Sequence, residues 1–233
     1  MPFCRLWSSS VFAFKADALV TLQVTFNEEV TVNTNLGNPY INLNSGGKAI
    51  YSSKNSNVLT FLYTVISGEN TNSLDCSGGL NLSGGVITDN AGNEMDDFTI
   101  PSNSLSGNAD IIIDTEQPTM TIESSSISGG GIASLTSIPL TFESSDITTN
   151  FVKEDITFSN GTLGNLTGSD KNYAIPFFPS SVGLCSISVS GGTFTDLAGN
   201  DNLASTEFTF TKFTPATIDS ITSTEGTGAY RSG

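Results

Sequence analysis

The sequence contains no histidine. That absence removes the side chain most often used as a general base near neutral pH and the commonest zinc ligand, so neither a Ser-His-Asp nor a Cys-His site can be assembled from this chain. Cysteine is scarce too. Cys4, Cys76 and Cys185 form an odd, widely spaced set that reads neither as a disulfide framework nor as a zinc motif. They are expected to be mostly buried thiols. Cations are few: 8 Lys and Arg stand against 23 Asp and Glu, for a formal net charge of −15. That balance argues against partners held through clustered cations, namely nucleic acid and anionic membranes, and is compatible with divalent cations. No apolar run approaches the ~20 residues of a membrane-spanning helix, and no insertion of this segment in a membrane is expected. No segment shows a helical period. The opening stretch MPFCRLWSSSVFAFKADA is interrupted by Lys15 before any good cleavage site, which makes it a poor signal peptide.

What the chain has in abundance is strict alternation. Val20, Leu22, Val24 and Phe26 fall on one face of an extended segment, and Ile138, Leu140 and Phe142 repeat the pattern. Period-two alternation belongs to a strand with one buried face. Many such short runs follow one another, separated by turn signals such as Ser45-Gly46-Gly47, Ser83-Gly84-Gly85 and Ser159-Asn160-Gly161. Short strands at intervals of about ten residues predict an all-β sandwich rather than a parallel sheet. Phe177, Phe178 and Trp7 are candidates for sugar stacking, but alternation favours core or edge packing for them.

One acidic, glycine-centred segment occurs twice. Ser83–Glu94 (SGGVITDNAGNE) aligns with Ser190–Asp201 (SGGTFTDLAGND) with 8 of 12 positions identical, and upstream Val24–Glu28 echoes Leu140–Ser144. Each copy thus opens on a Thr-Phe strand and closes on the septet. The chain is read as an atypical N-terminal segment (1–15), a first domain (16–114), a linker (115–117), a second domain (118–213) and the first strand of a further repeat (214–233), as in a fragment of a longer array. The last reading rests on Ala229–Gly233 echoing Ala13–Asp17. If residues 1–12 are a poor match to a first strand, the first domain has an unpaired sheet edge, which the C-terminal ATIDSITST of a neighbouring molecule would complete.

The order of motifs, Thr-Phe-x-Glu, then Asp-x-Ala-Gly-Asn, then Ile-Asp-Thr-x-x-Pro, resembles the bacterial-type immunoglobulin-like repeats of very large cell-surface and secreted proteins. The resemblance implies two tandem immunoglobulin-like β-sandwiches in an extracellular or cell-surface, adhesin-like protein. It also implies a non-enzymatic spacer or stalk role, neighbouring repeats as partners, contact with cell-surface glycans or proteins, and calcium between domains. The residues themselves give Asp89 and Asp196 two readings. An Asp side chain can accept bonds from the amides just after it and close a turn, with Gly supplying a positive-φ position. It can also ligate calcium, which wants six to eight oxygens. The stronger calcium expectation is the junction, where Asp114 and Glu116 in the linker and Glu28 after the Thr-Phe strand would share an ion. The rival to the spacer is a carbohydrate- or ligand-binding β-sandwich. An enzyme using paired carboxylates is the third, and no such pair is visible.

Overall fold

The computed structural model describes residues 3–4, 12–101, 105, 107 and 110–222. Trp7 and the Ala229–Gly233 echo lie outside the described residues. Among the described residues ten strands precede the linker: β1 (Phe3–Cys4), β2 (Phe12–Phe14), β3 (Leu19–Thr25), β4 (Val30–Asn33), β5 (Tyr40–Leu43), β6 (Lys48–Asn55), β7 (Val58–Thr64), β8 (Cys76–Asn81), β9 (Val86–Asp89) and β10 (Ile111–Ile113). Eight follow it: β11 (Met120–Ser124), β12 (Gly131–Ala133), β13 (Ile138–Thr148), β14 (Ile156–Ser159), β15 (Gly161–Leu163), β16 (Thr167–Pro179), β17 (Gly183–Val189) and β18 (Phe208–Lys212). A 3₁₀ turn at Lys153–Asp155 is the helical element among the described residues.

The strands after the linker form two four-stranded sheets, β11-β13-β16-β15 and β12-β18-β17-β14. Alternation decides what lies between them. On β13 every second residue from Ile138 to Ser144 is buried, and Ile138, Leu140 and Phe142 join Ile175, Phe177, Ile187 and Phe210 in one apolar cluster. The strands before the linker form a six-stranded sheet, β1-β3-β7-β6-β5-β8, with the pairs β10-β2 and β4-β9 beside it. Their buried side chains, including Val20, Leu22, Val24, Leu59, Phe61 and Tyr63, form a separate cluster. The all-β expectation is therefore met, with each core made by the alternating face seen in the sequence.

The same devices recur around both cores. A short strand lies parallel to the last strand in each: β2 against β10, and β12 against β18. The first strand pairs in the same register, Glu123↔Thr141 and Ser124↔Leu140 in one half, Phe3↔Thr25 and Cys4↔Val24 in the other. The stretch read as an atypical N-terminal segment thus contributes two short strands to the first core. Runs of two and three residues carry too little alternation to be recognised from sequence. Of the two cysteines whose side chains are described, Cys185 is buried and Cys76 is half-buried. Phe177 is fully buried, whereas Phe178 is 42% exposed, as alternation on β16 requires.

Candidate functional site

The two septets fold into similar turns that differ in one amide donor. In the first, Asp89 Oδ1 accepts from the amides of Ala91 and Asn93, each at 2.8 Å, and Oδ2 accepts from Asn93 Nδ2 at 2.7 Å. In the second, Asp196 Oδ1 accepts from Gly199 N at 2.8 Å and Asn200 N at 2.9 Å, and Oδ2 accepts from Asn200 Nδ2 at 2.8 Å. The glycines sit at φ +88° and +89°, where a Cβ would be strained. Matching bridges, Thr88↔Glu94 and Thr195↔Asp201, close the two loops. Both oxygens of each aspartate are engaged by donors of the turn itself, which is why the sequence needs Asp, Gly and Asn at these spacings. The two bonds from Asn93 and the one from Ala91 hold the Asp89 carboxyl below its ordinary pKa.

What distinguishes the copies is their surroundings. Asp89 is half-buried and Asn93 exposed, whereas Asp196 and Asn200 are 7% and 8% exposed. The second turn is covered because the linker runs across it. Asn200 Nδ2 donates a second bond, to the carbonyl of Asp114 at 2.9 Å. Gln117 Nε2 donates to Asp201 O at 2.9 Å, and Lys15 Nζ, from the first half of the chain, donates to Gly199 O at 2.7 Å. Leu203 N donates to Pro118 O at 2.9 Å. From the other side Asn70 Oδ1 accepts from Thr115 N at 2.7 Å, and Gly68 N donates to Thr115 Oγ1 at 2.9 Å. The linker is thus hydrogen-bonded to both halves along its length. Beside it Asn202, 2% exposed, accepts from the amides of Thr193 and Phe194 and donates to the carbonyls of Ser190 and Leu203. That arrangement uses the full capacity of an amide side chain.

The five acids expected to bind calcium fall into two places. Asp114, Glu116 and Asp196 lie at the linker. Glu28 and Asp89 line a cleft of about 480 Å³ with Phe26, Ile87, Asn93 and Met95. Glu28 follows the far end of the seven-residue β3 from the linker, a strand roughly 23 Å long at ~3.3 Å per residue. Glu28 therefore does not share a site with Asp114 and Glu116. Among the described residues no three of the Asp, Glu and Cys side chains are arranged to hold a metal ion. The linker acids do crowd one another. Desolvation, and then the charges of Asp196, Asp146 and Glu116, raise the Asp114 pKa against a lowering bond from the Glu116 amide. A carboxyl whose folded pKa is raised opposes folding when ionised, and that opposition fades as pH falls through the raised value.

The contacts that Lys15, Gln117, Asn200 and Asn202 make at and beside the linker are ones that sequence reading passes over. Asn200 belongs to the septet, but its second donation reaches 86 residues back, and no local pattern signals such a contact.

The profile of the family described as "Bacterial Ig-like domain" matches residues 114–212, which begin at the linker residue Asp114 and end at the last residue of β18. No curated protein matches the chain. Among solved structures, the chain is similar to FdeC, an Escherichia coli adhesin (11% identity, 87% of this chain, 62% of that one, TM-score 0.40). It is also similar to the Yersinia pseudotuberculosis adhesin InvE (10% identity, 90% and 58%, TM-score 0.28) and to invasin, a bacterial integrin-binding protein (12% identity, 91% and 39%, TM-score 0.29). The chain spans less than two thirds of each of these structures. No helix among the described residues is long and apolar enough to cross a membrane. Residues 114–212, which hold the two four-stranded sheets and the parallel β12-β18 pair, thus match the profile of the bacterial Ig-like domain family.

Proposed function

We propose that this chain is a structural and adhesive segment of an extracellular or cell-surface protein, in which two Ig-like repeats act as a spacer whose stiffness is set at the linker. The observation that carries this reading is the second septet turn, whose Asn200 and whose Gly199 and Asp201 carbonyls bind Asp114, Lys15 and Gln117. The aspartate that would have served as a catalytic acid is committed in both copies to closing a turn. That supports a non-enzymatic role and explains why the segment appears once per repeat. The domain limits of the proposal are 16–114 and 118–213, and the two separate apolar clusters support them. The adhesive side of the proposal, contact with cell-surface proteins or glycans, draws on the adhesin-like relatives.

Calcium is the finer part of the proposal. Desolvation first, and then the charges around Asp114, disfavour its ionised form, and a bound cation would offset the charges as protonation does. Because the described acids do not converge, bracing by an ion requires Glu116, which is exposed, to turn toward Asp114 and Asp196. The test is thermal unfolding with calcium and with chelator. The expected result is a higher melting temperature in calcium, reversed by chelation; superimposable curves would remove the ion and leave a spacer held by hydrogen bonds.

A further inference from the structure

A spacer carries tension, and the places where tension enters and leaves a sandwich decide which bonds meet it. The second repeat is entered from the linker through β11 and then β12, and it is left through β18. β12 is an edge strand whose neighbour is β18. The pair is parallel, from Gly131↔Phe210 to Ala133↔Lys212. A pull between the two sides of the repeat therefore draws β12 back toward Gly131 and β18 on toward Lys212, in opposite directions along one axis. Such a load falls on all the bonds of the pair together, whereas strands pulled apart from a shared end are peeled one bond at a time. Two further backbone bonds lengthen the pair: Gly130 N donates to Thr209 O at 2.7 Å, and Phe213 N donates to Ala133 O at 2.9 Å. Ala133 and Phe210 are 8% and 1% exposed and belong to the second core, so sliding the strands also drags side chains through close packing. β11, which the load reaches first, lies along β13 from Met120↔Ser144 to Ser124↔Leu140 and is likewise pulled along its own length.

The first repeat is built the same way. β2 and β10 are parallel, from Phe12↔Ile111 to Phe14↔Ile113. Phe12 N donates to Asp110 O at 2.9 Å, and Asp114 N donates to Phe14 O at 3.0 Å. Ile111 and Ile113 are buried in the first core, and β10 runs directly into the linker. On its other side Ile113 exchanges two backbone bonds with Thr71, at 2.8 and 2.9 Å. Phe12-Ala13-Phe14 and Ile111-Ile112-Ile113 share no residue, position for position, with Gly131-Ile132-Ala133 and Phe210-Thr211-Lys212. What the two repeats have in common here is the direction of the strands and where the chain enters and leaves them.

We infer that the pairs β2-β10 and β12-β18 are tension-bearing latches, and that each repeat resists a pull along the chain by shear of an entry strand against its exit strand. This deepens the spacer reading and rests on it, because a segment tethered on both sides is the one loaded in this way. It concerns the strength of each repeat, whereas the linker contacts concern the arrangement of the two. Under load the quantity that counts is the rate of crossing the unfolding barrier rather than the equilibrium stability. Bonds already broken at that barrier set the rate, and bonds still intact there do not.

The test is single-molecule unfolding of the whole chain, held by its two ends at constant force, beside thermal melting of the same proteins. Wild type should unfold in two events, one for each repeat. Phe213→Pro removes the N–H that binds Ala133 O, at a position 40% exposed and outside the second core. It should raise the rate of one event about fivefold, as expected for one backbone bond lost from the barrier, and leave the other event unchanged. Ser180→Pro removes a comparable bond outside the pair, from Ser180 N to Asn160 O at 3.0 Å. It should lower the melting temperature about as much, yet keep both rates under load within about twofold of wild type. Unchanged rates in Phe213→Pro overturn the inference whatever its melting temperature, as does equal acceleration by Ser180→Pro. Either failure leaves the spacer reading standing, since that is decided by scattering from the unloaded protein.

Discussion

Replacing Asn202 by leucine is expected to destabilise the protein by roughly 4 kcal/mol, read as a lower denaturation midpoint with an unchanged slope. The side chain is 2% exposed, and its oxygen and nitrogen serve two amides and two carbonyls of the loops at Ser190–Phe194 and Leu203. Leucine matches the volume but leaves these groups buried without those partners, at ~1–3 kcal/mol for each one that finds no substitute. Alanine leaves room for a water molecule and should cost less. A loss below about 1 kcal/mol for leucine would mean that the loops are held by something else.

The second large effect is expected at Phe151. Its ring lies 5.0 Å from Tyr173, 5.4 Å from Phe194 and 5.9 Å from Phe142, edge-on to the first two, and the residue is 5% exposed. Phe151→Ala should cost about 3–5 kcal/mol, from lost apolar burial plus the cavity that remains, with the edge-to-face contacts adding to it. Phe151→Leu should recover most of the burial and little of the ring geometry. Asn202 binds the Phe194 amide and Phe151 packs on the Phe194 ring, so the two substitutions share a neighbour. Their combined cost should depart from the sum of the separate ones, and a double-mutant cycle measures by how much.

The residues differ in how openly the sequence announces them. Val20, Leu22 and Val24, and Ile138, Leu140 and Phe142, are buried as alternation requires, because a strand with one covered face must write that face into every second residue. The septet turn was equally legible, since Asp followed by Ala-Gly-Asn is local chemistry. Phe151 was not: it stands between β13 and a 3₁₀ turn, outside any alternating run. Nor were Lys15 and Gln117, which reach carbonyls 184 and 84 residues away. Glu28 shows the same limit from another side. Its place after a Thr-Phe strand was readable, but which end of the molecule that strand points to is a property of the folded chain.

The central claim is that the linker, gripped by the second septet turn, fixes the arrangement of the two cores. Small-angle scattering from dilute protein, wild type against the double substitution Lys15→Ala, Gln117→Ala, tests it most directly. Both side chains act by donating to carbonyls of the second turn and neither belongs to a buried cluster, so both variants should fold. The account predicts that the wild-type profile fits a single arrangement, and that the variant, melting within a few degrees of wild type, needs a broader distribution of arrangements. A wild-type profile that already requires freely jointed halves, or a variant profile identical to it, would contradict the account.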